Sequence, residues 1–132
     1  MRKLLPYLLV GLGGFLGANT RFMVGKLFAR YFPVYFPVST FFINVTGSFL
    51  LGIVGYIAVY LKIFEPDYFR YLLGIGFLGA YTTFSTFEYE TNSLLEDGAF
   101  FISMLYVVSS VITGLIAVKL GILVAKYFAR VL

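Results

Sequence analysis

The residues of this sequence able to do chemistry are polar side chains set at helical spacing inside long apolar stretches. Thr40, Asn44 and Ser48 recur every fourth residue and lead to Gly52; Tyr106, Ser110 and Gly114 repeat that spacing later. Each row falls on one helix face and presents a line of neutral hydrogen-bond donors, hydroxyls and one amide. Serine and threonine readily bond back to their own i−4 carbonyl. The amide of Asn44 cannot be satisfied so locally and is expected to face a neighbouring helix or a wet cavity. The most informative stretch is Gly74-Ile75-Gly76-Phe77-Leu78-Gly79-Ala80-Tyr81-Thr82-Thr83-Phe84-Ser85-Thr86-Phe87. Three glycines followed by a Thr/Ser-rich run make a poor continuous helix. In hydrocarbon a break persists only where the freed backbone is buried in protein or binds something. Freed carbonyls suit a small hard cation such as Na⁺, while freed amides and hydroxyls suit an anion. A glycine-flexed helix with self-bonded threonines is the alternative. Phe84 and Phe87, three apart, share a face that is either packing surface or a pair of weakly electropositive ring edges.

Missing residue types narrow the chemistry further. The chain has no histidine and no cysteine, hence no imidazole base, thiolate nucleophile or Zn–thiolate site. No Asp or Glu falls in the first, second or fourth apolar stretch, where a proton-coupled transporter would keep an exchangeable carboxylate. Glu88 and Glu90 close the third stretch and Arg21 closes the first, positions that suit interfacial side chains. Neutral donors, a few cations and no central acid suit an anion pathway.

Such rows need helices in a membrane to carry them, and composition supplies that setting. Of 132 residues, 61% are hydrophobic and 12% charged, against about 25% charged in a soluble domain. This excludes a soluble enzyme, a nucleic-acid-binding protein and a disordered tail. The ten Lys and Arg residues are scattered between apolar runs rather than clustered, which is a membrane distribution and not a nucleic-acid footprint. The intervals between charges predict an all-α protein with four transmembrane spans, at about 4–28, 38–61, 71–95 and 98–124, each near the ~20 residues that cross a bilayer core. Arg2 and Lys3 before an apolar run also fit a signal peptide, but Arg21 and Lys26 follow it where a polar mature domain would begin. The linkers, 33–37, 62–70 and 96–98, leave no room for a soluble domain, so residues 1–132 read as one membrane module.

Four thin helices cannot both enclose a solvated pathway and shield it from lipid, so a transporting chain must oligomerise. Small-residue ridges suit close helix contact: Ser109, Thr113, Ala117, Gly121 and Ala125 on the fourth span, with Gly13/Gly17 and Gly14/Ala18 on the first. At least one is expected between subunits. Arg2, Lys3, Lys62, Arg70, Lys119, Lys126 and Arg130 lie on the side of the termini, against Arg21, Lys26 and Arg30 opposite, a moderate bias toward cytoplasmic termini.

Taken together, Gly13-Gly14-Phe15-Leu16-Gly17-Ala18-Asn19-Thr20-Arg21, Asn44-Val45-Thr46-Gly47-Ser48-Phe49 and Gly79-Ala80-Tyr81-Thr82-Thr83-Phe84-Ser85-Thr86-Phe87 resemble the Fluc (CrcB) family of fluoride channels over essentially the whole chain. The resemblance implies a fluoride-specific, passive channel in a bacterial or archaeal cell membrane, built as an antiparallel, dual-topology homodimer with a broken third helix. It implies a structural Na⁺, not transported, held by the backbone carbonyls of Gly79 and Thr82. It further implies a fluoride pathway formed by Phe84, Phe87, Asn44, Thr40, Tyr106 and Ser110 with Ser85 and Thr86, Arg21 near a pore entrance and Glu90 near the third-helix end. Departures are Phe22 for a usual tyrosine, Ser39 for a common glycine, Ala80 for a frequent second glycine, and Gly114 where a serine occurs. The competing readings are a small multidrug-type proton-coupled exporter, disfavoured by the acid-free first span, and a membrane scaffold that transports nothing.

Overall fold

The computed structural model describes residues 3–32, 34–61 and 66–131. Pro33, Lys62 and Glu65 of the predicted linkers, together with Arg2, lie outside the described residues. Within them the chain is all-helical, with no strand and no cis peptide bond. Helix α1 runs Leu5–Tyr31, opened by Pro6, whose missing N–H falls where a helix needs none. Helix α2 runs Val38–Tyr56, starts after Pro37 and widens into i→i+5 turns over Ile57–Leu61. A third helical run is composite: α3 at Pro66–Phe69, wide i→i+5 turns over Arg70–Leu78, and a last turn, α4, at Gly79–Tyr81. Helix α5 covers Phe84–Glu96, and Gly98 turns the chain at φ 75° into α6, Phe100–Val131. That φ lies where a β-carbon is strained, so glycine suits this turn.

Three of these elements are long and apolar enough to cross a bilayer: Leu5–Tyr31, Val38–Tyr60 and Phe100–Val131. The predicted third span is not one such helix. Its residues divide between the composite run ending at Tyr81 and α5 beginning at Phe84. The physical reason is local: Thr82 and Thr83 are extended, with ψ of 160° and 111°, and no helix passes through those angles.

Close backbone contact holds the helices together. A β-carbon on Gly13 or Gly17 would strike the backbone of 72–77, so α1 lies directly on the wide-turned segment, glycine against glycine at Gly13 and Gly76. A β-carbon on Gly52 would strike the Val118 carbonyl, and one on Gly121 the Phe49 carbonyl, which locks α2 to α6. Ala117, Gly121 and Ala125 are buried on that same seam. The ridges at Gly13/Gly17 and at Ala117, Gly121 and Ala125 of α6 therefore serve contacts inside one chain. Lipid offers no hydrophobic gain for bringing helices together, so small residues are used first where close packing within the chain supplies the attraction. Gly14 stays open, with nothing near the place of a β-carbon.

At one end of the bundle the Tyr35 hydroxyl donates to Asp97 Oδ2 at 2.9 Å, tying the α1–α2 linker to the α5–α6 turn. That bond, some loss of hydration and the carboxylate's charge raise the phenol above its ordinary pKa.

These contacts set an expected outcome. Gly121→Val inserts side-chain atoms where the Phe49 backbone stands and should destabilise the fold by about 1–3 kcal/mol. Gly11→Ala, at a position with open space around it, should cause no loss. Thermal unfolding in detergent of the two variants beside the parent chain checks the contrast.

Candidate functional site at the helix interruption

The interruption is built from side chains that answer its freed backbone groups. In a continuous helix the Thr83 N–H would bond to the Gly79 carbonyl. Here it bonds to Asn44 Oδ1 at 2.9 Å, and Asn44 Nδ2 donates to the Thr83 carbonyl at 3.1 Å. One amide on α2 thus pairs with both polar groups of one extended residue, as a neighbouring strand would. The Thr83 hydroxyl then starts the next helix. It accepts from the Thr86 N–H at 3.3 Å and donates to Thr86 Oγ1 at 2.8 Å, a threonine N-cap. Because Thr86 N–H is held there, the Thr82 carbonyl loses its own helical donor. Arg21 supplies another: Nη1 lies 3.5 Å from Thr82 O. The Thr82 hydroxyl bonds back to the Leu78 carbonyl at 2.9 Å, and its methyl fills the space left by Gly47 on α2.

Opposite helix ends meet at this place. The run ending at Tyr81 points its last carbonyls at the interruption, and α5 points its first N–H groups at it from the other side. Partial negative and partial positive charge therefore face each other across two residues.

Two cavities flank the extended pair, and Thr83 lines both. The first, about 500 Å³, holds Arg21, Lys26, Ser39, Thr40, Thr86 and Glu90 among its lining. It is the charged side of the site, with Lys26 Nζ set 4.8 Å over the Phe22 ring. The second, about 310 Å³, is lined by Asn44, Ser48, Gly79, Thr82, Phe84, Phe87 and Ser110 among others, and carries no charged side chain. Ser110 Oγ is buried there without a hydrogen-bond partner. A buried unpaired hydroxyl loses about 1–3 kcal/mol relative to a satisfied one, so a cavity beside it suits a hydrogen-bonding guest.

Glu90 sits between Thr40 and Tyr106. Thr40 Oγ1 donates to its Oε1 at 2.9 Å, and the Tyr106 hydroxyl to its Oε2 at 2.8 Å. Thr40 and Tyr106 are both buried. Tyr106 also meets the Phe87 ring edge to face at 5.0 Å. Phe87 is buried and Phe84 exposed, yet their rings lie 5.8 Å apart.

The structure brings together most residues singled out from sequence. Asn44, Gly79, Thr82, Phe84, Phe87 and Ser110 share one cavity; Thr40, Thr86, Glu90 and Arg21 share the other. Tyr106 joins through Glu90, while Ser85 is exposed on the first turn of α5. Two placements add detail to the sequence reading. Asn44 already holds Thr83 with both amide heavy atoms, so its first role is to stabilise the interruption. Arg21 is more than an interfacial cation, because it reaches a backbone carbonyl at the interruption. Sequence reasoning missed Thr83 as the pivot, Lys26 as a cavity residue, and buried Ser103, whose hydroxyl holds the Thr91 carbonyl at 3.1 Å. Thr83 carried a readable signal, a threonine three residues ahead of another at a helix start. Ser103 carried none.

Comparison with known proteins decides the family. The profile described as "CrcB-like protein, Camphor Resistance (CrcB)" matches residues 8–122. This chain belongs to the CrcB family. It is 41% identical over 122 residues to a "Fluoride-specific ion channel FluC" of Chlorobium phaeobacteroides, covering 92% of this chain and 94% of the relative. It is 47% identical over 118 residues to "Fluoride-specific ion channel FluC 3" of Methanosarcina barkeri, covering 89% and 88%. A FluC of Acidobacterium capsulatum is 43% identical over 122 residues, covering 92% and 97%. With its three apolar bilayer-length helices, this CrcB family chain is a multi-pass membrane protein.

The Asn44 pairing gives a test of the interruption. Asn44→Leu leaves the Thr83 N–H and C=O without partners, at about 1–3 kcal/mol each. We expect a lower unfolding temperature and faster hydrogen exchange at the Thr83 amide, with the rest of α2 protected as before. Hydrogen-exchange mass spectrometry resolved to peptides spanning 78–90 reads both regions.

Proposed function

We propose that this chain is a fluoride-specific ion channel that exports fluoride passively down the membrane potential, lowering the cytoplasmic concentration. The observation that carries the reading is the uncharged cavity at the interruption, where the unpartnered Ser110 hydroxyl lies beside Asn44, Ser48, Phe84 and Phe87. The fluoride channels to which the chain is 41–47% similar in identity supply the ion. Fluoride is small and strongly hydrated, so a pathway must replace its water with donors of comparable strength. Neutral hydroxyls, one amide N–H and ring edges do so without trapping the ion, and a narrow lining excludes chloride. The charged cavity would gather the anion through Arg21 and Lys26. Thr40, Ser85, Thr86 and Tyr106 would extend the polar path, and Glu90, bound by two hydroxyls, would order those donors. No reaction is catalysed and no coupling ion is required. With the cytoplasm negative by 100 mV, about 2.3 kcal/mol drives a monovalent anion outward, an equilibrium ratio of roughly 40-fold.

The same reading includes a four-span protomer whose third span is the interrupted pair of helices, and an antiparallel homodimer with a structural Na⁺ between two copies. The local chemistry fits such an ion. Gly79 is exposed on the single chain and its carbonyl has lost the Thr83 N–H to Asn44; the Thr82 carbonyl keeps only the long Arg21 contact. Among the described residues no cluster of three acidic, His or Cys side chains offers another metal site. A cation here would be held by neutral oxygens, and its uncompensated charge would favour an anion nearby.

Efflux from liposomes under a potassium–valinomycin potential tests the function. Fluoride should leave and chloride should remain; proton-dependent uptake of an organic cation, or silence toward all ions, would overturn the channel reading. Phe84→Ile and Phe87→Ile should each slow fluoride efflux at least tenfold with the dimer intact, and undiminished flux in both would return the rings to packing. Exchanging Na⁺ for N-methylglucamine from extraction onward should shift copies from dimer to monomer on dilution in bilayers and silence transport. A dimer indifferent to Na⁺ would remove the ion from the account while leaving the flux result standing.

A further inference from the structure

A third cavity, about 250 Å³, opens between α2 and α6, and neither residue of the extended pair lines it. Its apolar lower part is formed by Leu51 and Ile122, over a floor of glycine. Gly55 lies in that floor with nothing within 4 Å of where a β-carbon would stand, so the groove is open and not filled by a neighbour. Its upper rim is aromatic and cationic. Tyr56 and Tyr60 stack at 4.8 Å, and Lys126 Nζ lies 5.8 Å over the Tyr56 ring. No acidic side chain pairs with Lys126 among the described residues. Tyr127 and Phe128 follow on the same end of α6 and are exposed. Tyrosines at the ends of apolar helices mark the headgroup level of a bilayer.

An apolar slot that leads up to a cation at headgroup depth, one with no acidic partner among the described residues, has the shape and polarity of one lipid. We propose that this groove is a binding site for an anionic phospholipid, with an acyl chain lying over Gly55 between Leu51 and Ile122 and the phosphate at Lys126. Charge complementarity selects the headgroup. A cation between transmembrane helices attracts an anionic lipid over a zwitterionic one, and its position against the Tyr56 face leaves its outer hydrogens free to donate. The glycine floor selects an acyl chain, because a methylene chain lies flat only where no side chain stands up from the helix. Leu51 also lines the uncharged cavity beside Thr83, while the other residues of the groove line neither cavity there.

Native mass spectrometry of the detergent-solubilised chain, titrated with palmitoyl-oleoyl phosphatidylglycerol or phosphatidylcholine, reads the site directly. The parent chain should retain phosphatidylglycerol roughly fivefold more tightly than phosphatidylcholine, the preference of one added cation at the headgroup. Lys126→Gln should bring the two lipids to parity while keeping the folded mass envelope. Gly55→Leu should lower retention of both lipids by filling the slot, with Lys126 still present. Equal retention of phosphatidylglycerol by parent and both variants overturns the proposal. So does full competition by glycerol 1-phosphate, which would make the groove a site for a free anion, and so does a change from dimer to monomer in Gly55→Leu, which would make a second copy the occupant.

Discussion

The amide of Asn44 and the backbone of Thr83 form the contact on which the rest of the interruption depends. An extended residue in an apolar surrounding leaves one donor and one acceptor to be satisfied, and each unsatisfied group costs about 1–3 kcal/mol. A single primary amide carries the complementary pair on two atoms a fixed distance apart, so one side chain closes both bonds at 2.9 and 3.1 Å. No hydroxyl does this, since serine and threonine present one oxygen. Everything that follows is geometry released by that pairing. The Gly79 carbonyl is freed, α5 starts afresh at Phe84 with a threonine cap, and two cavities are kept apart by the width of one residue.

Glycine makes this arrangement affordable in space. Gly47 leaves room for the Thr82 methyl, so α2 stands close enough for Asn44 to reach Thr83. Gly13 and Gly17 let α1 lie on the backbone of 72–77, which brings Arg21, one turn further along α1, within 3.5 Å of the Thr82 carbonyl. The wide turns over Arg70–Leu78 belong to the same contact. Such turns are rare and recur at functional sites. Here they lead directly into the interruption, where opposed helix ends concentrate partial charges.

The two cavities divide electrostatic labour. Arg21, Lys26 and Glu90 keep formal charge on one side of Thr83, while the other side offers only hydroxyls, an amide and phenyl rings. A formal positive charge at the narrow point would hold an anion too well for rapid release, and a formal negative charge would exclude it. Glu90 lies on the charged side, with both of its oxygens bound by hydroxyls, from Thr40 and Tyr106.

Much of this was legible in the residues. The apolar runs, the four-residue spacing of Thr40–Asn44–Ser48 and the glycine-then-threonine stretch established helices, membrane and a weak point in the third run, because composition and periodicity depend on local backbone rules and on the solvent. The elements that pair across the chain were not legible. That Asn44 meets Thr83, that Arg21 reaches Thr82, and that the small-residue seam of α6 faces α2 within one chain all depend on relative rotation and depth of helices, which no single helix encodes. Spacing tells which side chains share a face; only the packed bundle decides what that face meets, because in lipid the choice rests on close backbone approach between particular glycines and not on hydrophobicity shared by every face.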